Sequence, residues 1–238
     1  MKLLLPKQHG AWAMLFIPFL FGVFLGQPSW IHVPLVVGWF FLYLATYPLL
    51  MLLKNKQREL YQKWTVIYTI PVVISLSFVI IYNPMFVYFG LLMLPFFLVN
   101  IYFAKTKNER ALLNDFSAVI VFSIGGIASY YAGTGTLDQR AYMIFVLSTL
   151  FFIGSTFFIK SMIREKRNPV FKWVSWGFHV CVMIGLILVS HPLLLIAYTP
   201  SFIRAFYLYG KNLSIMRLGI YEIINSVLFF ICIILLIN

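Results

Sequence analysis

Three short strings put polar side chains where apolar runs begin, and their residue types suit the capture of an anionic group. Pro6-Lys7-Gln8-His9-Gly10-Ala11-Trp12 brings a cation, an amide, an imidazole and an indole to one helix start. Trp12 and Lys7 fit a headgroup-level anchor, but Gln8 and His9 are not needed for anchoring. Within and just after the second string, Lys105 to Phe116, the residues Arg110, Asn114 and Ser117 recur at helical spacing. Asn114 and Asp115 there enter the helix proper, where polar groups face a bundle interior or a wet cavity. The third has Arg217, Tyr221 and Asn225 spaced by four, with Glu222 beside them. The spacing leads us to expect one cavity mouth lined by Lys7, His9, Arg110, Asn114, Asp115, Tyr221 and Glu222. Lys7 and Arg110 would hold the anion through charge-assisted hydrogen bonds. Asn114 and Tyr221 would orient it. Asp115 and Glu222 would fix Arg110 and Arg217, or one of them would be held protonated by apolar surroundings. The competing reading is plainer: separate interfacial anchors, a surface pair between Arg110 and Asp115 or Glu109, and a carboxylate favoured by a helix dipole.

Other candidates are thinner. Lys172, Trp176 and His179 share a helical face, and His179 falls near the middle of an apolar run. Tyr43, Tyr47, Lys54 and Arg58 form an aromatic track ending in cations. The four histidines, at 9, 32, 179 and 191, are dispersed, so no haem pair is expected. Cys181 and Cys232 lie in apolar runs without a CxxC partner, which supports neither a disulfide framework nor a zinc site. No GxSxG, HExxH or P-loop string occurs, and no complete catalytic motif, metal site or cofactor is expected.

The elements that must position these residues follow from composition. Of 238 residues, 62% are hydrophobic and 10% charged. A soluble domain carries about a quarter charged residues, so this chain needs lipid as its solvent. Crossing a hydrocarbon core of about 30 Å takes about 20 apolar residues. Windows of that length predict helices over 10–26, 31–53, 64–82, 85–104, 113–132, 141–160, 170–189, 192–209 and 218–237. Gln27-Pro28-Ser29, Asn83-Pro84, Gly133-Thr134-Gly135 and His191-Pro192 supply the turns, and Asn168-Pro169 suits a helix start. The expected fold is all-α: a polytopic transmembrane bundle of about nine helices, one integral membrane domain over 1–238.

Charge then orients the bundle. If the segments before the first helix and after the second, fourth, sixth and eighth share a side, that side holds seventeen of the 18 basic residues, and only Arg140 falls opposite. The positive-inside rule places that side in the cytoplasm, with the N-terminus there and the C-terminus outside a bacterial-type cell membrane. The net charge of +12 is thus explained by topology and anionic lipid headgroups, and nucleic acid is not an expected partner.

The string Pro6 to Trp12 and the segment Asn108-Glu109-Arg110 to Asp115 resemble the YwiC-like family of bacterial membrane proteins. More remotely, nine helices with basic loops after helices 2, 4 and 6 resemble the UbiA superfamily of prenyltransferases, as does Tyr102 to Gly126 with its Gly125-Gly126. That likeness implies a UbiA-like bundle and, in the family, two aspartate-rich motifs holding Mg²⁺ for a prenyl diphosphate. Here the end of helix 2 offers Glu59 and the end of helix 6 offers Glu165 among cations. Mg²⁺ uses carboxylate oxygens, so the metal motifs are lost and the transfer activity does not carry over with the fold. The leading reading is a cytoplasm-facing cavity for an anionic or quinone-like amphiphile, with membrane lipids, an anionic amphiphile or an isoprenoid as partners. Alternatives are a UbiA-like enzyme working without the Mg²⁺-binding aspartates, and a small-solute transporter, for which Pro200 hints at a broken helix. Single cysteines placed at 55, 108, 136 and 165 check the topology: membrane-impermeant thiol reagents should reach only position 136 from outside, and outside labelling at 55 or 165 would overturn the arrangement.

Overall fold

The computed structural model describes residues 3–6, 9–54, 57–189 and 191–237, with His9 through its backbone only. Lys7 and Gln8, in the first of the polar strings, lie outside the described residues. Among the described residues there are nine α-helices and no strand: α1 His9–Leu25, α2 His32–Leu52, α3 Arg58–Tyr82, α4 Phe86–Lys105, α5 Leu112–Thr134, α6 Gln139–Ile159, α7 Pro169–Leu188, α8 Leu194–Tyr207 and α9 Ile215–Ile237. A π-helical turn, Lys160–Arg164, extends α6. Each expected window has its helix. The largest difference is at α3, which starts at Arg58 and runs through the polar stretch before 64. Seven helices, α2 to α7 and α9, are long and apolar enough to cross a membrane. The chain is therefore a multi-pass helical membrane protein. α1 has 17 residues and α8 has 14. At 1.5 Å per residue α8 is about 21 Å long, shorter than a hydrocarbon core. It starts later than expected because the turn after His191-Pro192 continues through Leu193.

Local chemistry sets several boundaries. The Asn168 side chain accepts the Val170 N–H at 3.1 Å, and Pro169 opens α7. Asp138 does the same for α6, its Oδ1 accepting the N–H of Arg140 at 2.9 Å and of Ala141 at 3.3 Å. The Tyr130 hydroxyl donates to the other Asp138 oxygen at 2.8 Å, and this bond, more than the caps, holds the carboxyl below its ordinary range. α5 ends at Gly135, whose φ of 70° favours glycine. Prolines 18, 48, 71, 95 and 200 lie inside helices, as membrane helices tolerate.

The chain forms two compact units, Met1–Phe145 and Val146–Asn238. In the first, α1 lies along α5, α3 along α2, and α4 also along α5. The α1–α5 contact is close because it is made by small residues. A Cβ on Gly22 would sit 2.5 Å from the carbonyl oxygen of Gly126 and 2.6 Å from the Ser129 Cβ. One turn away a Cβ on Gly133 would overlap the Gln27 carbonyl. Polar ties fix the same seam. Ser129 Oγ donates to Phe19 O at 2.8 Å, Trp39 Nε1 donates to Leu15 O at 3.1 Å, and His32 Nε2 donates to Ser129 O at 2.8 Å. His32 Nδ1 accepts the Ser29 N–H at 3.0 Å, so this histidine is spent on structure. Leu15, Phe19, Ile31, Leu35, Trp39 and Phe122 make the apolar centre.

The second unit holds the end of α6 with α7, α8 and α9. Phe151 stacks on Phe229 at 3.9 Å, and Tyr198 meets Phe229 edge-on at 5.2 Å while donating its hydroxyl to Leu147 O at 2.7 Å. Trp176 stacks on Phe206 at 4.5 Å and donates to Ala205 O at 3.0 Å. In both units the exposed residues of the long helices are largely aliphatic, such as Ile70, Ile74 and Ile81 on α3 and Ile220, Ile224 and Ile231 on α9, as lipid contact requires. Gly22→Ala should lower stability by about 1–3 kcal/mol through overpacking, read as a lowered unfolding midpoint in detergent. Gly90→Ala, with nothing within 4 Å of its new methyl group, should leave the midpoint unchanged or slightly raised.

Candidate functional site

The buried stripe of α8 is Ala197, Tyr198, Ser201, Arg204 and Ala205, and that of α9 is Glu222, Asn225, Ser226, Phe229 and Ile233. Both follow the three- and four-residue spacing that keeps side chains on one helical face. Where the stripes meet, Arg204 Nη1 forms an ion pair with Glu222 Oε1. Ser155 of α6 donates its hydroxyl to the other carboxylate oxygen, Oε2. The Phe158 ring lies 4.3 Å from the guanidinium carbon. One turn along, Ser201 and Asn225 bond to each other, with Asn225 Nδ2 donating to Ser201 Oγ at 2.9 Å.

Arg204 is only 7% exposed, and its Nε and Nη2 have no hydrogen-bond partner among the described residues. A buried guanidinium carries five N–H donors, and leaving some unmet in a low-dielectric interior is costly. Glu222 offsets the charge but not the remaining donors. They point to an acceptor that no described side chain of the unit supplies. Within electrostatic reach of Arg204 lies His179 of α7. Its Nδ1 donates to Ser175 O at 2.7 Å, and its Nε2 has no partner among the described residues.

The residues expected from sequence fall into both units. Lys7 is outside the described residues and His9 opens α1 with its side chain undescribed. Arg110 is exposed just before α5, and Asn114 and Asp115 are half-buried in its first turn. Asn114 Nδ2 donates to Glu109 O at 2.8 Å, and Glu109 pairs with Lys54 at the end of α2. Arg110 and Asp115 are both engaged in interactions. In the second unit Tyr221 and Glu222 part company: consecutive on α9, they lie about 100° apart around a helix of 3.6 residues per turn, Tyr221 43% exposed and Glu222 buried. Glu222 takes Arg204 as its partner and not Arg217, which is exposed. Sequence reasoning placed Arg204 near the end of the expected helix 192–209 and counted its charge with the basic residues of that side, without giving it a partner. The signal that could have found it is spacing: Arg204 follows Ala197, Tyr198 and Ser201 at three- and four-residue intervals on one face of that helix. Among the described residues no three of His, Cys, Asp and Glu gather as a metal site.

A many-times-crossing helical protein with a buried ion pair is the class that these features define. The YwiC-like protein family model matches residues 5–130. A relative named "Uncharacterized protein YwiC", from Bacillus subtilis (strain 168), is 47% identical over 96% of this chain and 96% of its own length. An "Uncharacterized protein" of Haemophilus influenzae (strain ATCC 51907 / DSM 11121 / KW20 / Rd) is 44% identical over 97% of each. The chain belongs to the YwiC-like family. No solved structure matches it.

The ion pair makes a clear energetic prediction. Removing one partner from a buried pair costs about 3–5 kcal/mol, whereas replacing both by apolar groups of similar size is often neutral. Glu222→Leu should therefore sharply lower the unfolding midpoint in detergent, and Arg204→Met with Glu222→Leu should restore most of it.

Proposed function

We propose that this membrane protein binds an amphiphile with an anionic head, and that Arg204 of the second unit is the group that holds it. The observation that carries this reading is a guanidinium 7% exposed with two nitrogens lacking partners among the described residues. Oxygen acceptors of a phosphate or carboxylate would complete it through charge-assisted hydrogen bonds, each worth about 1.5–3 kcal/mol. Glu222, itself held by the Ser155 hydroxyl, fixes the guanidinium from one side and leaves the other edge for the ligand. The apolar faces of the surrounding helices suit an acyl or isoprenoid chain.

On this reading the N-terminus is cytoplasmic and the C-terminus external in the cell membrane, from the partition of basic residues. Lys7, His9, Arg110, Asn114 and Asp115 belong to the first unit and would meet lipid headgroups there. Tyr221, exposed on α9, would contact lipid from the second.

Purification into native membrane patches followed by lipid mass spectrometry tests the assignment. The wild-type protein should carry an anionic amphiphile. Arg204→Gln combined with Glu222→Gln leaves no unpaired buried charge, so the fold should survive. Loss of two such bonds should reduce the bound amphiphile by at least about tenfold. An unchanged lipid complement in a folded double variant would refute the reading.

A further inference from the structure

A cavity of about 350 Å³ opens in the first unit where the turns after α1 and α5 meet the start of α6. Gln27, Tyr130, Thr134, Thr136, Asp138 and Arg140 give it a mostly polar lining. Its walls are fixed from behind. Gln27 packs so closely on Gly133 that a Cβ on the glycine would overlap the Gln27 carbonyl. Thr134 Oγ1 donates to Tyr130 O at 3.0 Å and accepts the Thr136 N–H at 3.3 Å.

The charges of this cavity have no counterpart at that end of the unit. Of the Asp, Glu, Lys and Arg residues in Met1–Phe145, only Asp138 and Arg140 lie in or beside the turns after α1, α3 and α5. The others precede α1 or lie in and beside the turns after α2 and α4. The charge rule that accounts for the basic residues there gives no reason for Arg140 here. Arg140 is near enough to Asp138 and Tyr130 to act on them electrostatically. Its guanidinium nevertheless makes no ion pair with Asp138 among the described residues.

Asp138 is held by three hydrogen bonds, two on Oδ1 and one on Oδ2. A carboxylate has about four acceptor sites, so one remains, on Oδ2. Arg140 brings guanidinium N–H donors to the same cavity. A lone anion would be repelled by Asp138 and a lone cation by Arg140, so the arrangement favours a guest that carries both charges. The groups around Asp138 are hydroxyls and an amide, with Tyr130 as the single ring of the lining. They suit a primary ammonium, which has N–H donors to give. A trimethylammonium has none and is held instead by aromatic cages. The opening lies at a level marked by exposed aromatic residues. Trp30, in the same turn as Gln27, is 54% exposed and meets Tyr82 edge-on at 5.1 Å. Exposed Trp and Tyr gather where the membrane meets water.

We infer that this cavity binds a zwitterion with a primary ammonium and an anionic oxygen group, the anion on Arg140 and the ammonium on Asp138 and the neighbouring hydroxyls. The aminoethyl phosphate head of a membrane lipid has this chemistry, and so does a free amino acid. The inference does not rest on the Arg204 reading, which concerns the second unit and an anionic head.

Two matched probe pairs differ only in methylation of the nitrogen: phosphatidylethanolamine against phosphatidylcholine of the same acyl chains, and glycine against trimethylglycine. Each is titrated into the full-length protein in maltoside micelles. Binding is followed at the Arg140 ¹⁵Nε resonance, assigned by its loss in Arg140→Gln. At least one primary ammonium should shift that signal and bind at least about threefold more tightly than its trimethyl partner, the scale of one exposed charged contact. A response to the lipid pair alone identifies a headgroup as the guest, and a response to the glycine pair alone identifies a free amino acid. Asp138→Asn keeps a capping residue at the start of α6 and should abolish the preference for the primary ammonium. Arg140→Gln, at an exposed position, should weaken binding of the preferred probe at least about threefold by native mass spectrometry. No shift with any probe would overturn the inference. So would equal affinity within both pairs, or a preference that survives Asp138→Asn. The two pairs on the wild-type protein decide the matter even where a variant fails to fold.

Discussion

A guanidinium buried among apolar side chains must be neutralised by a partner within the protein, because those side chains offer it neither charge nor acceptor. In the second unit Glu222 supplies that charge, and the arrangement around it follows. Glu222 has to face α8, which sets the rotation of α9 and carries Asn225, Ser226 and Phe229 inward with it. Arg204 has to face α9, which sets the rotation of α8 and brings Ser201 and Tyr198 inward. Ser155 then brings α6 to the same point. A pair of this kind adds little net stability, but it penalises any helix rotation that would separate the charges.

The first unit is organised by contact distance and has no comparable buried pair described. Without a hydrophobic drive between helices in lipid, association rests on close packing and on hydrogen bonds. Gly22 and Gly126 remove the side chains that would hold α1 and α5 apart. Once the backbones are close, side chains reach carbonyls on the facing helix, as Ser129 reaches Phe19 and Trp39 reaches Leu15. His32 joins the loop at Ser29 to α5 at Ser129. The two units thus use different solutions to one constraint, that polar groups inside a membrane find their partners in the protein.

The two histidines that the structure buries show how differently one residue type can be used. His32 has both ring nitrogens engaged by backbone groups. His179 has one nitrogen engaged within its own helix and the other buried beside Gly154 without a partner among the described residues. Position in an apolar run is common to both. What separates them is the neighbour at the second nitrogen: a carbonyl of α5 for one, a glycine without a side chain for the other.

Helix positions were legible in the sequence. Length of apolar run, turn residues and the Asn168-Pro169 cap are local properties, and the helices form where those properties place them. It also held the family resemblance in Pro6 to Trp12 and Asn108 to Asp115, and the matching family model spans both strings. The polar start of α5 was legible too, since Asn114 and Asp115 enter the helix as spacing implied. Partners were a matter for the tertiary structure. Glu222 had a cation at Arg217, five residues away in the chain, yet pairs with Arg204, eighteen away, because α8 and α9 pack along each other. Tyr221 and Glu222 adjoin in sequence and face opposite surroundings, because a helix turns each residue by about 100°. Gly154 gave no signal at all, since an absent side chain acquires meaning only from what stands 3.2 Å beyond it. Helical periodicity is written in neighbouring residues, whereas pairing and cavities depend on which faces meet, and that is decided by how the helices pack together.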